Sequence, residues 1–148
     1  MINNDMDKLR HFLKESYQLP SPLTIDEGCN YGENHWKYVK EFLEFCKTNL
    51  GLPNIPNINI ADNRNNGMTT GAYEPSTDRI SVYGKGRALV DVLRTLAHEL
   101  THYRQRLNDQ IKSNDRDWNL EGEADAEAGK MVYTFAHQDP NYMQIYEL

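Results

Sequence analysis

The sequence predicts an α+β fold, a small and mostly antiparallel sheet with helices packed on one side. Three observations carry this expectation. Apolar residues recur at helical spacing before residue 50 and again after residue 87, the stretch between alternates with period two among turn residues, and no linker or repeat divides the chain. With 148 residues, residues 1–148 are expected to form a single domain with a core of useful size.

Residues 5–17 read as an amphipathic helix, ended by Leu19-Pro20-Ser21-Pro22. A second helix spans residues 33–49, with Trp36, Val39, Phe42, Leu43 and Phe45 in apolar spacing. Gly51 is expected to cap it, and Pro53 and Pro56 forbid its continuation. Residues 1–50 thus make a helical amino-terminal part. Asn57-Ile58-Asn59-Ile60 alternates as a strand does, and residues 62–67 are rich in turn formers. Residues 71–73 and 79–83 read as two strands joined across Glu74-Pro75-Ser76-Thr77-Asp78. Two longer helices follow, at residues 87–107 and 118–136. Pro140 then marks a tail or short helix.

Composition narrows the classes of function. No run approaches the roughly eighteen apolar residues of a membrane span. The segment MINNDMDKLR lacks the basic-then-apolar pattern of an export signal, so a cytoplasmic setting is expected and a membrane partner is not. Formal net charge is −6 and the basic residues are scattered, so no nucleic-acid face is expected and a peptide or protein is the easier partner. Cys29 and Cys46 lack metal-ribbon spacing, and Cys46, between Phe45 and Lys47, reads as a buried free thiol.

The chemistry concentrates in Ala97-His98-Glu99-Leu100-Thr101-His102, which contains His-Glu-x-x-His. Residues four apart lie about 40° apart in azimuth and one turn along a helix, so His98 and His102 can share one zinc ion. Glu99, rotated by about 100° from His98, flanks the ion and can take a proton from the attacking water and pass it to a leaving amine. Five His and eleven Glu in a chain of this length produce the pattern by chance only about one time in a hundred. Leu89, Leu93, Leu96, Leu100 and Leu107 gather on the opposite side as plain core, so the histidines face solvent or a cleft.

A catalytic zinc site commonly has a third protein ligand. The next helix offers Glu121, which shares a face with Ala124, Asp125 and Ala128, a face that turns apolar at Val132 and Phe135. Glu123 and Glu127 fall on the other face and read as solvated charges.

His98-Glu99-x-x-His102, followed nineteen residues later by Glu121-x-x-Ala124-Asp125, resembles the gluzincin clan of zinc peptidases, to which thermolysin belongs. The short length most resembles the minigluzincins and related small phage or prokaryotic peptidases. The match covers residues 57–136, which would be a minimal zincin-like catalytic core. The resemblance implies Glu121 as third zinc ligand, Asp125 as hydrogen-bond acceptor from a zinc-binding histidine, and residues 79–83 or 71–73 as the edge strand along which a peptide lies. Larger gluzincins add a tyrosine or histidine beside the reacting carbonyl. Tyr83, Tyr103, Tyr133 and His137 are available for that role, and no motif selects one. The expected activity is zinc-dependent endopeptidase. A zinc-binding recognition or sensor module stays open as an alternative, as does a SprT-like DNA-associated protease, although the basic extension usual in the latter is missing. For the apolar tail at residues 141–148, packing against the body and coverage of the cleft in a latent enzyme are both open.

Overall fold

The strand Asn57–Ala61 (β2) puts Ile58 and Ile60 on one face and Asn57 and Asn59 on the other, and Arg79–Tyr83 (β4) repeats the pattern with Ile80 and Val82. All four aliphatic side chains are buried. On the opposite face the neighbours are polar, and the Asn59 amide donates to Thr24 Oγ1 at 2.8 Å and Asp26 Oδ1 at 3.2 Å. The structure, a computed structural model, describes residues 23–64, 68–111 and 117–148. The helix expected at residues 5–17 lies outside them.

In chain order the elements are β1 (Leu23–Ile25), a 3₁₀ turn (Glu27–Cys29), α1 (Glu33–Leu50), β2, β3 (Gly71–Glu74), β4, α2 (Leu89–Leu107), α3 (Trp118–Gln138) and a second 3₁₀ segment (Pro140–Tyr146). The fold is α+β, as expected. The sheet is mixed rather than mostly antiparallel, in the order β1-β2-β4-β3. Only β3 and β4 pair antiparallel, across the expected hairpin, while β1–β2 and β2–β4 are parallel. Connectivity is the reason. The α1 helix carries the chain from the end of β1 back to the start of β2, the crossover that parallel neighbours require. After β2 the chain reverses and lays β3 at the edge, and the hairpin then returns β4 into the gap.

The α1 helix ends where expected: Gly51 has φ of 64°, a left-handed conformation that glycine adopts without a Cβ penalty, and its N–H reaches back to the last carbonyls. Trp36, Val39, Phe42, Leu43 and Cys46 are buried, and burial pushes the Cys46 thiol well above its ordinary value. The α2 helix lies over β3 and β4 and packs against α1 and α3. At Ala124 and Ala128, both buried, α3 has no bulk to hold it off α2. Farther along, Met131, Val132 and Phe135 join one continuous core with the sheet and α1.

The tail packs against the helical body. Ile145 is fully buried, the Tyr142 ring stacks on Phe135 at 4.4 Å, and the Tyr38 hydroxyl donates to Gln144 Oε1 at 3.0 Å. None of residues 141–148 lines the cleft described below, so the geometry gives the tail a packing role and not that of a cover. Ile145→Ala should therefore lower unfolding free energy by about 2–5 kcal/mol, the cost of a large-to-small change at a closed core site. A urea titration reads this as a lower midpoint at unchanged slope; an unmoved midpoint would mean that the tail is not part of the core.

Candidate metal centre

Two ring nitrogens and both oxygens of one carboxylate converge between α2 and α3. His98 Nε2 and His102 Nε2 are 3.1 Å apart, Glu121 Oε1 is 3.4 Å from the first, and Glu121 Oε2 is 2.8 Å from the second. The i, i+4 spacing stacks the imidazoles on one face of α2, and the close approach of α3 at Ala124 brings Glu121 to them.

What these atoms can do depends on where the ring protons are. His98 Nδ1 is 2.8 Å from Asp125 Oδ1, an acceptor-only group at neutral pH, so Nδ1 carries the hydrogen. His102 Nδ1 is 2.7 Å from Gln105 Oε1. The Gln105 amide is fixed in this sense because its nitrogen donates to the Leu120 carbonyl and to Glu123 Oε1, both at 3.0 Å. Both rings therefore turn a lone pair toward the shared point, and Glu121 adds a carboxylate. Lone pairs in that arrangement repel unless positive charge lies among them. Tetrahedral coordination with bonds of about 2.0–2.1 Å separates ligand atoms by roughly 3.3 Å, close to the 3.1 Å between the two ring nitrogens. His98, His102 and a carboxylate could thus hold a metal ion.

Two carboxylates compete for that description, since Glu99 also lies within 4.8 Å of the histidine nitrogens. Glu121 has the shorter approaches, to both Nε2 atoms. Glu99 is set back against β3: a Cβ on Gly71 would stand 3.2 Å from Glu99 Oε2 and 2.5 Å from Thr95 Cγ2. The missing side chain at Gly71 lets the strand close onto the helix and enclose Glu99, which is only 6 % exposed. Burial first, then the charges of Glu121 and Asp125, push its carboxyl up to about 8. A divalent cation at the shared point would oppose both charges and lower it.

The site opens into a cleft of about 1080 Å³ between β3, α2 and α3. Of the two candidate edge strands, β3 is at the edge of the sheet among the described residues and β4 lies inside it. Residues 71–73 therefore flank the cleft as edge strand, and the alternative at residues 79–83 is excluded.

The expected site residues His98, Glu99, His102, Glu121 and Asp125 come together. The four candidates for a group beside the reacting carbonyl do not line the cleft. Tyr83 lies under the Arg64 guanidinium, Tyr103 is bonded to Asn54, and Tyr133 and His137 stack on each other on α3. Glu123 is exposed, as expected, and in addition accepts from the Gln105 amide and lies 3.7 Å from Arg104. Gln105 itself was not singled out by sequence reasoning. Its position three residues after His102, on the histidine face, is the signal that could have found it. No protein-family model, curated protein or solved structure matches the chain.

The geometry ranks the residues by their effect on metal affinity. Glu121→Ala should weaken zinc binding most, leaving two imidazoles. Asp125→Ala and Gln105→Ala should each cost on the order of 10–100-fold, through lost control of ring orientation. Glu127→Ala should leave affinity unchanged. Competition against a chromophoric chelator measures all four. Wild-type affinity in Gln105→Ala would remove the tautomer argument for His102.

Proposed function

We propose that the chain is a zinc-dependent peptidase of the gluzincin type, with His98, His102 and Glu121 as zinc ligands and Glu99 as general base. One observation carries the reading: a second, buried carboxylate stands beside the donor triangle without being needed to complete it. A site that only held metal would gain nothing from a carboxylate enclosed at the cost of its desolvation. Glu99 is shielded from bulk water and faces the cleft, where a proton must be taken up and then released.

When bound, zinc would supply Lewis acidity, polarising the substrate carbonyl and making water easier to deprotonate. The remaining work falls to the chain. Glu99 accepts the proton of the attacking water and returns it to the amine as the peptide bond breaks. Asp125 and Gln105 keep the two imidazoles aimed through these proton movements. The β3 strand offers main-chain N–H and C=O groups along its outer edge, so an extended peptide can add to the sheet beside the site. No side chain forms a covalent bond to the substrate in this scheme.

Glu99→Gln should keep stoichiometric zinc and lose well over a hundredfold in turnover of a denatured protein substrate, because it retains shape and removes the base. Zinc content by elemental analysis and cleavage by gel or mass spectrometry test the two halves. Turnover near wild type in a zinc-replete Glu99→Gln protein would eliminate this mechanism.

A further inference from the structure

We propose that Arg94 makes the cleft selective for a substrate carboxylate carried just beyond the cleaved bond on its carboxy-terminal side. This rests on the peptidase reading above and deepens it to a class of substrate.

Arg94 lies one turn before His98 on α2 and lines the same cleft. It is exposed, and among the described residues its guanidinium has no hydrogen bond or ion pair. Nearby acidic groups are otherwise engaged: Asp125 holds His98, and Glu121 faces both histidines. The guanidinium rests over α3 at Gly129, where an added Cβ would lie 3.1 Å from Nη2. Gly129 thus leaves the floor on which this cation lies open.

The cleft is asymmetric about the site. On the Arg94 side its wall is the uncharged Thr95, Met68, Thr69 and Thr70, with Asp125, whose carboxylate is held by His98. Beyond His102 the lining includes Asp117, Ile111 and Leu120, and Glu74 with its cross-strand neighbour Arg79. A carboxylate entering the first end meets the unpaired Arg94 beside the site, and one entering the second meets Asp117, with the opposite charges of Glu74 and Arg79 facing each other across the strands. Like charges would repel it there.

Strand direction decides which side of the bond is concerned. Gly71 sits against Thr95 and Glu99, and the Tyr73 ring lies 6.1 Å from that of Tyr103, so β3 and α2 run the same way. A peptide pairing antiparallel to β3, the slightly more stable mode, then runs from the Tyr103 end toward the Arg94 end. Its carboxy-terminal half passes Arg94. Four helical residues rise about 6 Å, and two extended residues span about 6.7 Å, so the carboxylate belongs to the first or second residue after the cleaved bond. It can come from an Asp or Glu side chain or from the peptide's own terminus.

The test uses zinc-loaded full-length chain and quenched fluorescent peptides bearing Glu, Gln or Lys at each of those two positions, with free or amidated termini. Wild type should favour Glu over Gln by roughly tenfold or more in kcat/KM, the worth of a charge-assisted bidentate contact partly removed from water. In Arg94→Gln this ratio should fall to about one, Arg94→Lys should keep part of it, and Arg94→Glu should turn it toward Lys. A preference that follows only the free terminus assigns the carboxylate to the chain end. Anisotropy binding of the same peptides to Glu99→Gln, with and without Arg94→Gln, reads selectivity without hydrolysis. An Arg94-dependent preference in binding with no cleavage by wild type keeps the proposal and removes the peptidase reading. A Glu-to-Gln ratio of one in wild type, or one unchanged by Arg94→Gln, overturns the proposal.

Discussion

Two imidazole nitrogens and the Glu121 carboxylate face one another at no more than 3.4 Å between α2 and α3. Such a set can share a cation, and much of the surrounding packing holds it in place. The leucine face of α2 anchors the helix in the core, so its opposite face is fixed in direction. Ala124 and Ala128 permit the approach that brings Glu121 into reach. The Gln105 amide ties α2 to α3 through Leu120 and Glu123 while setting the tautomer of His102. Asp125 does the same for His98 from a more exposed place, its side chain 74 % accessible, so it orients the ring under greater solvent screening than Gln105 does.

Much of this was legible in the sequence, for physical reasons. Helix phase follows from 3.6 residues per turn, so the His98, His102 and Glu121 faces could be projected without coordinates. The Gly51 cap and the β3–β4 hairpin are equally local, and the structure has both. Strand order is not local: the parallel pairing of β1 with β2 and of β2 with β4 depends on where α1 and the residues after β2 carry the chain. Three-residue β1 is also too short for period two to register. At the site, Gly71 and Gln105 were missed because each acts on an element distant in sequence. A glycine in a strand shows its purpose only when Thr95 and Glu99 stand where its side chain would be. Glu123 is exposed as its helix face implied, but a helical projection cannot show that Gln105 reaches across to it from α2.

Function enters where local and nonlocal features meet. In the proposed function the motif would supply two ligands and a base on one helix and the edge of β3 a place for an extended chain, while Gly71 sets how closely the two stand. Glu99 illustrates the balance. Enclosure by β3 and the charges of Glu121 and Asp125 favour its proton, and a divalent cation at the donor triangle favours its release. Metal binding at this point would therefore be coupled to the proton affinity of Glu99.

The account rests on Glu121, and not Glu99, completing the coordination of the metal. A crystal of the zinc-loaded chain, with anomalous differences measured on both sides of the zinc absorption edge, addresses this directly. The expected result is one peak at about 2.0–2.2 Å from His98 Nε2, His102 Nε2 and a Glu121 oxygen, with the Glu99 carboxylate outside bonding distance. A peak bonded to Glu99 in place of Glu121, or no peak between the two histidines, would contradict it.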